Sequence, residues 1–171
     1  MANNYNDLAI VRVTPTLSTA QYQEDDVLFV ATEIPNAVRG NGGCSRLVAA
    51  YILDQSDIAD SDIQLIFSEG NTALGTINET ANISDANLEA LNICGYARCT
   101  ANQAQTDADI DNARIHQILP GSGPGENVSP LMFLQAASDS TSVYVHGILT
   151  SATTPTYAAD DIDLILHIEY K

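Results

Sequence analysis

Carboxylates are the most numerous reactive groups in the chain, and their spacing is the first place to look for chemistry. Asp107, Asp109 and Asp111 alternate in the run Asp107-Ala-Asp109-Ile-Asp111-Asn112. Alternation brings side chains to one side of an extended segment, and a hard cation such as calcium takes roughly six to eight oxygen ligands. A helix–loop–helix calcium loop counted from Asp107 needs Gly at its sixth position and Glu at its twelfth. Asn112 and Ile118 stand there instead. The run therefore reads as a solvated acidic loop, and so does the set Asp54, Asp57, Asp60 and Asp62.

His116, His146 and His167 each fall inside a strand-like run, and no pair has the spacing of a zinc half-site. They read as ordinary sheet residues. Cys44, Cys94 and Cys99 are an odd count, too sparse for a disulfide framework, so thiols are expected, with a short-loop Cys94–Cys99 bridge as the alternative. A nucleophile elbow needs Gly-x-Ser-x-Gly between a strand and a helix. Gly121-Ser122-Gly123-Pro124-Gly125 has another pattern, and no helix or lysine follows to make it a phosphate cradle. Paired carboxylates for glycoside cleavage usually work beside aromatic platforms, and the chain has no Trp, seven Tyr and three Phe. Sequons begin at Asn78, Asn82 and Asn127, as expected by chance in an Asn-, Ser- and Thr-rich chain. The reading is a non-enzyme, with no catalytic, cofactor-binding or metal-ligating residue assigned.

Charge narrows the partners. Six basic residues face 22 acidic ones, a net charge of −16, and Lys171 is the single lysine. Nucleic-acid binding needs a basic footprint that displaces counterions from phosphate. Docking on anionic lipid needs the same sign. No apolar run approaches the roughly 20 residues that span a bilayer. The opening Met-Ala-Asn-Asn-Tyr-Asn-Asp has neither the basic nor the apolar part of a secretory signal.

The elements that would position any site are short and extended. Strand-like runs cover 8–13, 27–31, 46–53, 63–67, 93–99, 114–119, 131–136, 143–149 and 162–170, with turn chemistry between most of them. Gly95 marks a weak point or bulge. Ser84 followed by Asp85 and Ala-Asn-Leu-Glu-Ala-Leu predicts one short helix near 84–92. Residues 100–113 read as an acidic excursion. Eight or nine strands in 171 residues predict one all-β domain spanning 1–171, a β-sandwich or barrel rather than a βαβ fold. The last strand is expected to be paired into a sheet, and residues 1–7 are expected to form a mobile arm.

Several segments, in order, resemble a known group. They are Val11-Arg-Val-Thr-Pro-Thr16, Gln23-Glu-Asp-Asp-Val-Leu-Phe29, Thr32-Glu-Ile-Pro-Asn-Ala37, Leu47-Val-Ala-Ala-Tyr-Ile-Leu-Asp54, Ile83-Ser-Asp-Ala86, Ser138 to Val145 and Thr154-Pro-Thr-Tyr157. The ordering is similar to the head decoration, or cement, proteins of tailed bacteriophages, from about residue 10 onward. The resemblance implies a single-domain antiparallel β-sandwich, jelly-roll-like, acting as a structural virion protein on the outer surface of an expanded icosahedral capsid. Its partners would be the major capsid protein and copies of itself, most simply as a homotrimer, after synthesis in the host cytoplasm. It carries over no catalytic or cofactor residue. Residues 1–20 and the loop 35–45 are the expected reach toward neighbouring capsid subunits. The rival reading is a receptor- or glycan-binding sandwich of a tail fibre or adhesion structure, whose aromatic platform would come from Tyr22, Tyr96 and Tyr157.

Overall fold

The computed structural model describes residues 7–58, 61–100, 107–118 and 132–170. Ten strands and one helix follow in order: β1 (Leu8–Val13), β2 (Val27–Ile34), β3 (Cys44–Asp54), β4 (Ile63–Ser68), α1 (Asp85–Ala90), β5 (Ile93–Cys99), β6 (Asp107–Ile110), β7 (Ala113–Ile118), β8 (Met132–Gln135), β9 (Val143–Leu149) and β10 (Ile162–Tyr170). They form two antiparallel sheets. One runs β1-β10-β3-β7-β6, with β8 also on β3; the other runs β2-β9-β4-β5.

The connectivity is a long hairpin rolled on itself. β4 pairs β5, β3 pairs β7, β2 pairs β9 and β1 pairs β10, as nested antiparallel pairs. Rolling the hairpin adds β10 to β3 and β9 to β4. Without β6 and β8, the result is two four-stranded sheets in jelly-roll order, so of the sandwich and barrel that the strand count allows the chain forms the sandwich. The final strand lies between β1 and β3.

Alternation explains why these segments are strands. Ile162, Leu164, Leu166 and Ile168 point inward from β10, as do Ile63, Leu65 and Phe67 from β4, and all are buried. The core between the sheets is completed by Phe29, Ile34, Leu47, Ile52, Leu134, Val145 and Leu149. It also takes Leu17 and Tyr22 from the polar-looking connection after β1, and Tyr157 from the loop before β10. Tyr22 and Tyr157 meet edge-to-face at 5.9 Å.

Three local features have direct causes. Gly147 lies beneath the Phe29 ring, where a Cβ would come within 2.3 Å of a ring carbon. Gly43 has the Arg39 carbonyl oxygen 2.5 Å from the place of a Cβ, in a loop whose Gly40 and Gly42 take φ of +72° and +67°. The bulge expected at Gly95 sits beside it: Phe67 pairs Gly95, whereas Ser68 pairs Ile93, which skips Cys94.

The helix is shorter than 84–92. Ser84 is its N-cap and accepts a hydrogen bond from the Asn87 N–H. Leu91, its C-cap, is fully buried with Val27 and Leu74 against Val30, Ile66 and Ile148. The 74–91 segment thus covers the outer face of the four-stranded sheet. The acidic excursion needs a correction. Residues 107–110 are a strand, joined to β7 by the two-residue turn Asp111-Asn112 with Asp111 at φ +48°. Asp and Asn tolerate that left-handed conformation, which suits tight hairpins.

Candidate functional site

The residues with chemical potential are spread over the molecule. His146 is fully buried, its Nε2 lies 2.8 Å from the Ser68 hydroxyl, and its Nδ1 has no partner. Burial lowers its pKa to about 4, so the ring is neutral. His167 lies on the outer face of the six-stranded sheet, tilted against Tyr51 at 5.1 Å. His116 points into one end of the sandwich. Nearby, burial pushes the Asp54 carboxyl upward, opposed by the hydrogen bonds it accepts from Ser56. Ser61 and Tyr157 also reach this end, and their buried hydroxyls complete no hydrogen bond. Burial drives the Tyr157 phenol far up. Among the described residues, no group of three or more His, Cys, Asp or Glu is arranged to hold a metal ion.

Asp109 lies on the short strand β6, within 3.5 Å of Arg114, which also donates to Asp57 at 2.8 Å. Asp62 pairs with Arg98. Cys44 is exposed, Cys94 half-buried and Cys99 buried, and all three are free thiols. Cys94 and Cys99 lie along one strand, about 16 Å apart, beyond the reach of a disulfide. The Gly121–Gly125 run, Ser122, Asp60, the Asn127 sequon and residues 1–6 lie outside the described residues. Asn78 turns the chain at φ +64° with its Oδ1 enclosed.

The aromatic platform expected of a glycan binder is not assembled. Tyr22 and Tyr157 are core residues, and Tyr96 alone is exposed, at 46%, on β5. The loop 35–45 is tied down. Val38 and Gly42 donate to the carbonyls of Thr141 and Ser140, and Ser45 donates to the Ala37 carbonyl.

A continuous surface does emerge on the outer side of the six-stranded sheet. Pairing register aligns four rows of outward side chains across the strands. They are Leu8–Glu169–Arg46–Phe133, then Ile10–His167–Ala49, then Arg12–Ile165–Tyr51–Gln117, then Asp163–Leu53–Ile115–Ala108. Leu8, Ile10 and Phe133 are more than half exposed. The charges in these rows are two arginines and two carboxylates, and each arginine pairs with a carboxylate: Arg12 with Asp163, and Arg46 with Glu169 at 3.1 Å. Asp163 is buried beneath Arg12, Thr14 and Gln55. Burial raises its pKa, but the bonds from Arg12 and Thr14 outweigh that and hold it below the usual carboxylate range. The rows therefore carry no net charge, in a chain of −16. No segment of the described residues lies over them as 74–91 lies over the other sheet.

Sequence reasoning missed this face because each strand is also apolar inward; the outward residues become one surface only once the register is known. No protein-family profile, curated protein or solved structure matches the chain.

Proposed function

We propose that this protein is a structural component of a phage virion, a decoration or cement protein bound to the outside of the expanded capsid. Its partners are the major capsid protein and other copies of itself. The observation that carries the reading is the order of turn and strand-start segments from Val11 to Tyr157, which resembles that group. Two physical features support it. A jelly-roll sandwich is an architecture that capsid and lectin domains both use, although a fold alone does not assign a function. A net charge of −16 is repelled by packaged DNA, so an outer position is favoured over an inner one.

Weak contacts at many equivalent lattice positions would add up by avidity, so a single capsid subunit need not bind tightly. The glycan-binding alternative loses two of its three platform tyrosines to the core. The test is co-sedimentation of the purified protein with expanded and unexpanded capsids of the virus that encodes it. Saturable binding to expanded shells alone is expected. Equal failure on both kinds of shell would remove the reading.

A further inference from the structure

We propose that β1 is a self-association edge, pairing antiparallel with β1 of a second copy about a two-fold axis. An unpaired strand edge is a template for another strand, and proteins usually blunt theirs with bulges, charge, proline or short length. The other edges here are blunted. β2 has two register shifts along its pairing with β9, and β5 has Gly95 and the bulge at Cys94. β6 and β8 are four residues each, and β6 carries Asp109. β1 is the least blunted, six regular residues, Leu-Ala-Ile-Val-Arg-Val, with no bulge or proline, and its one charge, Arg12, is matched by Asp163.

Its backbone is set up for pairing. Tyr170 donates to the Asp7 carbonyl, so in an antiparallel ladder Asp7, Ala9, Val11 and Val13 bond toward β10. Leu8, Ile10 and Arg12 then direct their N–H and C=O away from it. Among the described residues, no backbone or side-chain group bonds to that outer side. The same three residues carry the outward side chains, with Leu8 66% and Ile10 70% exposed.

Local charge selects a second copy as the occupant. Two molecules of −16 repel each other over most of their surfaces, but the rows behind β1 are neutral because each arginine is matched by a carboxylate. Two-fold pairing centred on Ile10 is self-complementary. Ile10 meets Ile10 of the other copy, and Leu8 meets Arg12, whose aliphatic stem can cover it. Three such pairs supply about six backbone hydrogen bonds. The two bare faces then continue into one another. This contact stands apart from the capsid reading, and it is a different assembly from the trimer that the resemblance implies.

The test is sedimentation equilibrium of the full chain up to about 100 µM, with folding followed by circular dichroism. The wild-type chain is expected to form a dimer that tightens as salt screens the net repulsion. Ile10→Lys and Ile10→Pro are expected to be folded monomers, weakened about a hundredfold or more. The proline removes only an N–H that points away from β10, so the protein's own ladder survives it. A wild-type monomer or trimer, a dimer that weakens with salt, or a dimer that folded Ile10→Lys leaves intact would each overturn the proposal.

Discussion

Gly147 and the Phe29 ring show how one missing atom shapes the core. Any Cβ there would strike a fully buried ring, so Gly147→Ala is expected to destabilise the fold by about 1–3 kcal/mol through overpacking; urea unfolding would measure it, and an unchanged midpoint would contradict it. The two core tyrosines should respond differently. The Tyr22 hydroxyl donates to the Leu28 carbonyl and accepts from the Ser18 N–H, so Tyr22→Phe is expected to cost about 1–3 kcal/mol. The Tyr157 hydroxyl completes no bond, so Tyr157→Phe should be neutral or slightly stabilising. Equal losses in thermal melts would refute that contrast. His146 gives a pH dependence. Its folded pKa of about 4 lies below the unfolded value near 6.5, so the unfolded chain takes up the proton first as pH falls. Its contribution is complete above about pH 6.5 and shrinks between there and pH 4, by about 3 kcal/mol in all. Urea unfolding at pH 7.5 and 4.5 should therefore show a smaller stability drop in His146→Gln than in the wild-type chain. Identical drops would mean that His146 does not couple to folding.

Strands were legible wherever inward apolar residues alternate, as in β4 and β10, because a period of two leaves a mark in the sequence. β6 was not, because Asp107-Ala-Asp109-Ile110 has little apolar pattern and is held by pairing with β7 and by the Asp111-Asn112 turn. The burial of Leu17 and Tyr22 was hidden for a similar reason: one or two anchors in a polar connection show no periodicity. Of the singled-out Asp, His and Cys positions, only His167 falls in the rows of the candidate surface. That surface is built from register, which depends on which strands meet after the hairpin rolls. At this scale the edge account predicts an exchange pattern. The amides of Ala9 and Val11 should be protected at any concentration, whereas those of Leu8, Ile10 and Arg12 should become protected only as concentration rises. Amide exchange read residue by residue would show it, and concentration-independent exchange at Ile10 would count against it.

For the whole molecule, charge and topology act together. The jelly roll closes its core with all three cysteines free, covers one sheet with the 74–91 segment and, among the described residues, leaves four rows of the other sheet uncovered and without net charge. A strongly acidic body with one neutral apolar side can pack beside its own kind there and meet a different partner through its remaining surface. That division suits a protein repeated over a lattice. Copy number in purified virions, measured by quantitative mass spectrometry against the major capsid protein, tests this most directly. The account predicts hundreds of copies in a simple ratio to the capsid subunit. A handful of copies, or none, would contradict it.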